Sequence, residues 1–225
     1  MLKALFFDLD GTLCHFQGNF KKIFIDCCSP IFNSHSHTYD LILNHWNEFL
    51  SQEGSLTAGI ALKKICSELG ISLPANYLEI AAHFCQTYAN HITPILGVND
   101  MIKTLSERYK LALISNGPMD MQCAAIKSLG IGNFFNTILI SGDPAVLFRK
   151  PNPLIFQIAL DRTETKSCEA LMIGDNLKVD IEGAENLGLN TLFIGKNKDP
   201  RIRSIEDLPY LMNILETDFN HSIKD

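Results

Sequence analysis

Residues 3–13 read KALFFDLDGTL, an apolar run that ends in two aspartates separated by a single leucine. A short apolar run that ends in a carboxylate is typical of a buried strand, here over residues 3–8, whose carboxyl end opens onto a site. Successive residues of a strand point to opposite sides, so Asp8 and Asp10 are expected to face one cavity if the chain stays extended. The segment therefore predicts a strand with a shared acidic site at its end.

Similar apolar runs recur further along the chain and alternate with helical patterns. Two of the predicted helices are followed by Gly130 and Gly188, and glycine suits the left-handed conformation that ends many helices. The alternation predicts an α/β fold in which a parallel sheet is covered on both faces. The predicted strands are 111–114, 137–140, 170–173 and 191–194, and the predicted helices are 119–129, 153–160 and 180–187.

The segment between the first and second predicted strands has another character. It carries four helical apolar patterns and no strand signal, and a linking helix over 99–110 follows it. Such apolar stripes predict packing faces, so the four helices are expected to form a small bundle. We expect residues 1–14 and 97–225 to form the core, with residues 15–96 inserted as an α-helical cap domain. A further helix-like piece, 204–215, lies in the tail.

Composition and charge narrow the classes of function. The 225 residues carry a formal net charge of −6 without a basic run, which argues against nucleic acid as a partner. The apolar stretch before Asp8 spans only four residues, too short for a signal peptide or a membrane span, so a cytoplasmic protein without a membrane partner is expected. The seven cysteines lack the spacing of a zinc site or a disulfide framework and are expected as reduced thiols.

Four polar pieces of the sequence carry residues suited to chemistry. The carboxyl ends of parallel strands form the ligand crevice of an open sheet, so pieces that follow strands can converge. Two like charges about 4 Å apart repel by about 4 kcal/mol at an effective dielectric near 20, which predicts a cation beside Asp8 and Asp10. Oxygen ligands favour Mg²⁺ over Zn²⁺, and neither acidic segment has the spacing of a calcium-binding EF-hand loop. The four pieces are DLDGT at 8–12, SNG at 115–117, KP at 150–151, and Gly174-Asp175 with Asp180.

These residues fit phosphoryl transfer. The Asp8 carboxylate would attack phosphorus to form an aspartyl-phosphate, which water then cleaves. Asp10 would protonate the leaving oxygen and later activate the water. The ammonium group of Lys150 would help to cancel the negative charge of the phosphate. Other groups expected around the phosphate are the donors of Ser115 and Asn116, with Gly117 allowing close approach of the backbone.

Taken in order, the four pieces resemble the motifs of the haloacid dehalogenase superfamily of aspartyl-nucleophile phosphatases. The resemblance covers the core, whereas the cap matches only in its position and helical character. It implies a Rossmann-like core in which the first strand is central and the strand ending at Ile173 lies beside it, so that Asp175 comes next to Asp8. The matching segments are FFDLDGTL at 6–13, LISNG at 113–117, RKPNPLIF at 149–156 and IGDNLKVDIEGAENLG at 173–188.

The resemblance also implies a role for each motif residue. Asp8 would be the nucleophile and a metal ligand, and Asp10 the acid/base that also binds the metal through its backbone carbonyl. Asp175 would complete the Mg²⁺ ligands. Asp180 would hold either a metal-bound water or Lys150. The residues implied to hold the phosphate are Ser115 and Lys150, and Thr12 is implied as a supporting residue of the first motif.

Three other functions share parts of this pattern. Dehalogenases of the superfamily generally lack a carboxylate at the position of Asp10. Sugar phosphomutases of the β-phosphoglucomutase type tend to carry Glu-Asp where this chain has Gly174 and Asp175. A non-catalytic module that binds a phosphorylated ligand would not need both Asp8 and Asp10.

For Asp180 alone, a structural role at the start of a helix is equally reasonable.

The nature of the substrate follows only in outline from the sequence. A helical cap that closes over the site would exclude water and bulky protein substrates, which favours a small phosphorylated metabolite as the partner. Nucleoside monophosphates, sugar phosphates and small organic phosphates all remain open. The sequence does not determine the oligomeric state, because apolar cap faces can pack internally or against another subunit.

Overall fold

A parallel sheet lies at the centre of the structure. The computed structural model describes residues 1–32, 39–54 and 56–195. In chain order the strands are β1 (Ala4–Phe7), β2 (Cys14–Phe16), β3 (Ile92–Pro94), β4 (Lys110–Ser115), β5 (Thr137–Ile140), β6 (Ala170–Gly174) and β7 (Asn190–Phe193). One parallel sheet has the strand order β5-β4-β1-β6-β7, and β2 and β3 form a separate pair.

Strand β1 is the central strand of the sheet, with β4 on one side and β6 on the other, as predicted. All its residues are buried, which explains why the run is apolar at every position. Leu5 and Phe7 belong to one hydrophobic core, and Ala4 and Phe6 belong to a second one. Because alternate residues of a strand point to opposite faces, the two cores lie on opposite sides of the sheet. This is the arrangement of a Rossmann-like α/β fold.

Helices cover both faces of the sheet and fill the segment inserted after β1. The four helices of the insertion agree with the four predicted patterns, and the cysteines of the chain are all free thiols, also as predicted. The helices described are α1 (Phe20–Phe32), α2 (Tyr39–Ser51), α3 (Ala58–Leu69), α4 (Tyr77–Ala89), α5 (Val98–Ser106), α6 (Met119–Leu129), α7 (Pro153–Thr163) and α8 (Gly183–Glu185).

An aromatic cluster holds the inserted helices together. Phe24 of α1, Trp46 of α2 and Phe84 of α4 are fully buried, and their ring centroids lie 5.2 to 5.4 Å apart. The rings meet edge to face, with interplanar angles of 64° to 90°, which is a favoured geometry for aromatic pairs. The apolar stripes are therefore packing faces within the cap, as the helical spacing predicted.

The prediction that the insertion contains no strand is wrong. Cys14–Phe16 pairs antiparallel with Ile92–Pro94, where the chain enters and leaves the insertion. Each strand has only three residues, too few to show an alternating pattern in the sequence. Pairing between them depends on the helices in between, which bring the two ends of the insertion together.

Several other boundaries differ from the predictions by a few residues, and two of them concern the elements beside the site. The linking helix ends at Ser106 because Lys110 already begins β4, and the helix predicted over 180–187 begins earlier, as a π-helix over Leu177–Glu182. Asn176 causes this early start, since its side chain accepts a hydrogen bond from Val179 N and its carbonyl accepts from Ile181 N. The predicted tail helix at 204–215 lies outside the described residues. Among the described residues, every helix is too short or too polar to cross a membrane.

Candidate active site

A buried ion-pair cluster lies at the carboxyl end of β1. Asp8 directly follows the strand, and its backbone N donates to Ile173 O at the end of β6. Lys150 Nζ lies 2.5 Å from Asp8 Oδ1 and 2.7 Å from Asp180 Oδ1. Lys150 is 2% exposed, Asp8 8% and Asp180 1%. One ammonium group thus bridges two carboxylates that come from different parts of the chain.

The position of Lys150 is set through its own backbone. Asn116 Nδ2 donates to Lys150 O at 2.8 Å, and Lys150 N donates to Asn116 Oδ1 at 2.9 Å. The peptide bond between Lys150 and Pro151 is cis. The side-chain amide of Asn116 is therefore engaged in positioning Lys150, and the donor that it would offer to a phosphate is its backbone N–H.

Burial and charge shape the titration of this cluster. Burial raises the pKa of Asp8 to about 7, while the Lys150 ammonium group opposes the shift. For Lys150, burial acts to lower the pKa, but Asp8 and Asp180 outweigh it and raise the pKa above its usual value. Lys150 therefore stays charged. A further cation near Asp8 would favour the ionised carboxylate of Asp8.

Three carboxylates meet beside this lysine in a way that suits a divalent cation. Asp8, Asp175 and Asp180 each place a carboxylate oxygen within 4.8 Å of the others. Three acidic groups with one ammonium group leave an excess of negative charge, and hard oxygen ligands are those that Mg²⁺ prefers. Asp175 is the exposed member, so the cluster is open to solvent on its side. The donor set of this structure fits Mg²⁺.

Two glycines make room for these carboxylates. Gly11 has φ of +84°, and a Cβ there would lie 2.7 Å from Asp175 Cγ, so the carboxylate packs directly against the Gly11 backbone. At Gly174 a Cβ would lie 2.5 Å from both Asp180 Cβ and Asp180 Oδ2. A glutamate at position 174, typical of the mutase alternative, would displace Asp180 from Lys150.

Asp10 is held by two residues whose role was not predicted from the sequence. Gln122 Nε2, from α6, donates to Asp10 Oδ2 at 2.9 Å, and Tyr88 Oη, from α4, donates to Asp10 Oδ1 at 3.4 Å. Burial raises the pKa of Asp10, and these two hydrogen bonds oppose the shift. The sequence did contain a signal for Gln122, because this residue lies on the buried stripe of α6 together with Ala125 and Ile126. A polar side chain in such a stripe needs a hydrogen-bond partner.

The remaining predicted residues surround this centre. Ser115 ends β4 and is 1% exposed. Gly117 packs against Gln122, and a Cβ at position 117 would lie 2.8 Å from Gln122 Nε2. The backbone N of Gly117 donates a hydrogen bond to Ser141 Oγ. Thr12 is fully buried, and its hydroxyl has no hydrogen-bond partner within the part of the chain that the structure describes. All four polar pieces predicted to converge therefore do lie at one end of the sheet.

A cavity of about 490 Å³ separates the cap from the core beside Asp10. Asn116, Gly117 and Gln122 line it on the core side. The loop between α2 and α3 of the cap is tied to the core by backbone hydrogen bonds, with Leu56 N donating to Gly142 O and Met119 N donating to Leu56 O. The cavity thus lies where a molecule bound at the acidic centre would extend towards the cap.

Comparison with known proteins identifies the class. The family model of haloacid dehalogenase-like hydrolases matches residues 2–188, so the chain belongs to this family, and the prediction of a hydrolase is confirmed. It is 27% identical to the HAD-hydrolase YfnB of Bacillus subtilis, with 96% of this chain and 97% of that protein covered. It is 29% identical to the glyceraldehyde 3-phosphate phosphatase of Methanothermobacter thermautotrophicus, with 86% of each chain covered.

Solved structures agree on the fold. The HAD phosphatase from Thermococcus onnurineus superposes with a TM-score of 0.66 at 22% identity, covering 94% of this chain and 98% of that one. The match extends over both the sheet and the inserted helices, since so little of either chain is left out. The predicted α/β fold with an inserted helical cap is therefore confirmed.

Proposed function

We propose that this protein is a Mg²⁺-dependent phosphomonoester hydrolase that acts on a small phosphorylated metabolite through an aspartyl-phosphate intermediate. The observation that carries the proposal is the meeting of Asp8 with Lys150, Asp175 and Asp180 at the carboxyl end of β1. The phosphatase relative from Methanothermobacter thermautotrophicus supports phosphate esters as the substrate class. We also propose that residues 1–14 and 97–225 carry this chemistry and that residues 15–96 cover it.

In the first step Asp8 acts as the nucleophile. Its carboxylate oxygen attacks phosphorus, the bond from phosphorus to the leaving oxygen breaks, and Asp10 gives its proton to that oxygen. The raised pKa of Asp10 supports this role, since a carboxyl group must be protonated to act as an acid. In the second step Asp10 takes a proton from water, whose oxygen attacks phosphorus. The bond between phosphorus and Asp8 then breaks, and inorganic phosphate leaves.

The phosphate would be held by groups at the ends of β4 and the loop before α7. Lys150 would offer its ammonium group, and Ser115 its hydroxyl. Asn116 would contribute its backbone N–H, because its side chain positions Lys150. Gly117 would support these phosphate-binding groups by allowing close approach of the backbone, and Thr12 would support them by packing.

The residues that would hold Mg²⁺ are Asp8 and Asp175 through their carboxylates and Asp10 through its backbone carbonyl. Asp180 would orient Lys150, in keeping with its 2.7 Å contact to Lys150 Nζ. Bound Mg²⁺ would supply positive charge that lowers the repulsion between the anionic nucleophile and the anionic phosphate.

The two alternatives within the superfamily have less support. A sugar phosphomutase of the Glu-Asp type would need a side chain at Gly174, where the close contact of Asp180 leaves no room. A dehalogenase has no use for a carboxylate at Asp10 that is held by Gln122 and Tyr88. Both hydrogen bonds favour instead an acid/base aimed at a leaving oxygen.

Hydrolysis of p-nitrophenyl phosphate tests the proposal. The wild type is expected to release p-nitrophenol in MgCl₂ and to lose this activity in EDTA, and Asp8→Asn is expected to be inactive. Asp161→Asn, a change of the same kind on an exposed face of α7, serves as the control and should keep the wild-type rate. An inert wild type that still binds phosphorylated ligands would instead support a binding module. Sugar phosphate isomerisation seen by chromatography would support the mutase.

A further inference from the structure

The cap contributes a hydroxyl group to the surroundings of Asp10. Tyr88 lies in the last turn of α4, and its hydroxyl donates a hydrogen bond to Asp10 Oδ1 at 3.4 Å. Both residues line the cavity between cap and core. A tyrosine hydroxyl is protonated at neutral pH, so it can donate to a carboxyl group without bringing a charge. A group of the cap thus faces the acid/base of the proposed reaction.

Neighbouring rings hold the Tyr88 hydroxyl in place. The Tyr88 ring is buried and stacks on Phe16, with centroids 4.9 Å apart and an interplanar angle of 16°. Phe20 meets the Tyr88 ring edge to face, with centroids 6.3 Å apart at 78°. The hydroxyl at the end of this ring is therefore ordered before a substrate binds. A side chain that positions another residue needs this kind of support.

The two oxygens of the Asp10 carboxyl group are held from different domains. Gln122 Nε2, from the core, donates to Oδ2, and Tyr88 Oη, from the cap, donates to Oδ1. The terminal torsion of an aspartate has only broad preferences, so one hydrogen bond fixes one oxygen and leaves the carboxyl group free to turn. The second hydrogen bond fixes the plane of the carboxyl group.

Of these two oxygens, Oδ1 is the more available for proton transfer. Hydrogen bonds between two oxygens are usually about 2.5 to 3.0 Å long, so the contact of 3.4 Å with Tyr88 is loose. Oδ2 is bound more closely, at 2.9 Å, by Gln122. A leaving oxygen can therefore form a shorter hydrogen bond with Oδ1 while Tyr88 keeps that oxygen in position.

We propose that Tyr88 is a positioning residue for Asp10, so that the cap takes part in proton transfer as well as covering the site. The inference rests on the proposed function, because it requires Asp10 to be the acid/base. Tyr88 neither gains nor loses a proton. Asp10 gives its proton to the leaving oxygen as the bond from that oxygen to phosphorus breaks, and Tyr88 keeps Oδ1 directed towards that oxygen.

Tyr88→Phe tests this role, because it removes the hydroxyl and keeps the ring that stacks on Phe16. A basic leaving oxygen needs a proton as it departs, whereas p-nitrophenolate can leave without one. In MgCl₂ we expect the variant to lower kcat/KM by about 10- to 100-fold for benzyl phosphate and by about 3-fold or less for p-nitrophenyl phosphate. Phenyl phosphate, whose leaving oxygen has an intermediate basicity, should give an intermediate loss.

Two further variants frame this measurement. Tyr77→Phe is the matched control, because Tyr77 begins the same helix and is not among the described residues that line the cavity. It should leave kcat/KM for all three esters at the wild-type value. Asp10→Asn removes the acid itself and should show the same order of losses with a larger size. Thermal unfolding verifies that each variant is folded.

The outcomes distinguish this inference from the proposed function. If the wild type hydrolyses the esters but folded Tyr88→Phe lowers kcat/KM equally for all of them, or for none, the inference is overturned and the proposed function stands. If benzyl phosphate is not a substrate, the losses for phenyl and p-nitrophenyl phosphate decide in the same way. If the wild type hydrolyses no phosphate ester, the proposed function itself fails, and the inference fails with it.

Discussion

At the scale of single residues, Lys150 is the most demanding member of the site. Lys150 is 2% exposed, and its buried ammonium group is tolerated because two carboxylates contact it at 2.5 and 2.7 Å. Burial of any of these charges without the others would cost several kcal/mol. The cluster therefore holds the residues of the site in fixed positions, in addition to any part in catalysis.

Removal of the ammonium group should destabilise the protein. Without it, Asp8 and Asp180 face each other with no cation between them, so Lys150→Met in EDTA should lower the free energy of unfolding by about 3 kcal/mol or more. Urea denaturation measures the loss. Lys103→Met, on an exposed face of α5, should stay within about 0.5 kcal/mol of the wild type. An equal stability of the two variants would show that the bridge does not stabilise the fold.

Gln122 is a positioning residue for Asp10 at the same scale. Its Nε2 donates both to Asp10 Oδ2 at 2.9 Å and to Asn116 O at 3.2 Å, so it ties the acid/base to the loop after β4. A donor that faces a carboxylate favours the ionised form and therefore lowers its pKa. Gln122 acts in this direction against the burial that raises the pKa of Asp10.

Gln122→Leu should change both the rate and its pH dependence. We expect kcat to fall about 10- to 100-fold, since Asp10 loses its orientation. Loss of the donor raises the pKa of Asp10, so the protonated acid persists to higher pH, and the alkaline limb of kcat/KM should move upward. The pH profile on p-nitrophenyl phosphate measures the shift. Gln157→Leu, on an exposed face of α7, is the control. A lower kcat of Gln122→Leu without any shift of the alkaline limb would argue that Gln122 has a merely structural role.

At the scale of secondary-structure elements, the start of α3 joins the cap to the core. Both carboxylate oxygens of Asp120, in the first turn of α6, accept from Ala58 N at 2.9 and 3.0 Å. Thr57 caps the same helix by accepting from Ile60 N. A core residue thus satisfies a backbone donor at the amino terminus of a cap helix, where free N–H groups favour negative charge.

Loss of this contact should be measurable as stability. Asp120→Ala removes the acceptor of Ala58 N, and the expected cost is about 1 kcal/mol, typical of a helix cap. For a chain of this size, about 1 kcal/mol lowers the melting temperature by about 2 to 4 °C. Differential scanning calorimetry checks the value. Asp161→Ala, whose partner Gln157 is exposed, should change it by less than half as much, and no difference between them would mean that water replaces the contact at no cost.

Prediction of elements from the sequence succeeded where the signal is local. The strand at Thr137–Ile140 and the helix at Met119–Leu129 have their predicted bounds, because apolar runs and a closing Gly130 are visible within a few residues. The pair formed by β2 and β3 was missed, since each of its strands is too short to show a pattern. The early π-helical start at Leu177 was missed because it depends on Asn176 bonding to residues beyond it.

At the scale of the whole molecule, the sheet brings distant residues into one site. Asp8 and Lys150 are 142 positions apart in the chain, and Asp10 and Gln122 are 112 apart. The order of the strands, with β1 between β4 and β6, places their carboxyl ends side by side. An open parallel sheet binds its ligands at this edge.

Binding of Mg²⁺ should stabilise the whole protein. A ligand that binds only the folded state raises the free energy of unfolding by RT ln(1 + [L]/Kd), about 2.7 kcal/mol at 100 times Kd. A thermal shift in MgCl₂ is therefore expected for the wild type and should be lost in Asp175→Asn. Asp100→Asn, an exposed change in the first turn of α5, should keep the shift. A shift of equal size in Asp175→Asn would place the ion elsewhere.

The sequence by itself determined the strands of the sheet, the inserted helices and the four polar pieces, because each is encoded by periodicity or by residue types within a short window. Only the tertiary structure decided that Asp180 contacts Lys150 and that the Asn116 side chain forms hydrogen bonds with the Lys150 backbone. It also decided that Gln122 and Tyr88 form hydrogen bonds with Asp10. These contacts join residues far apart in the chain. Their distances depend on how helices and sheet pack, and a single sequence carries no local signal for that.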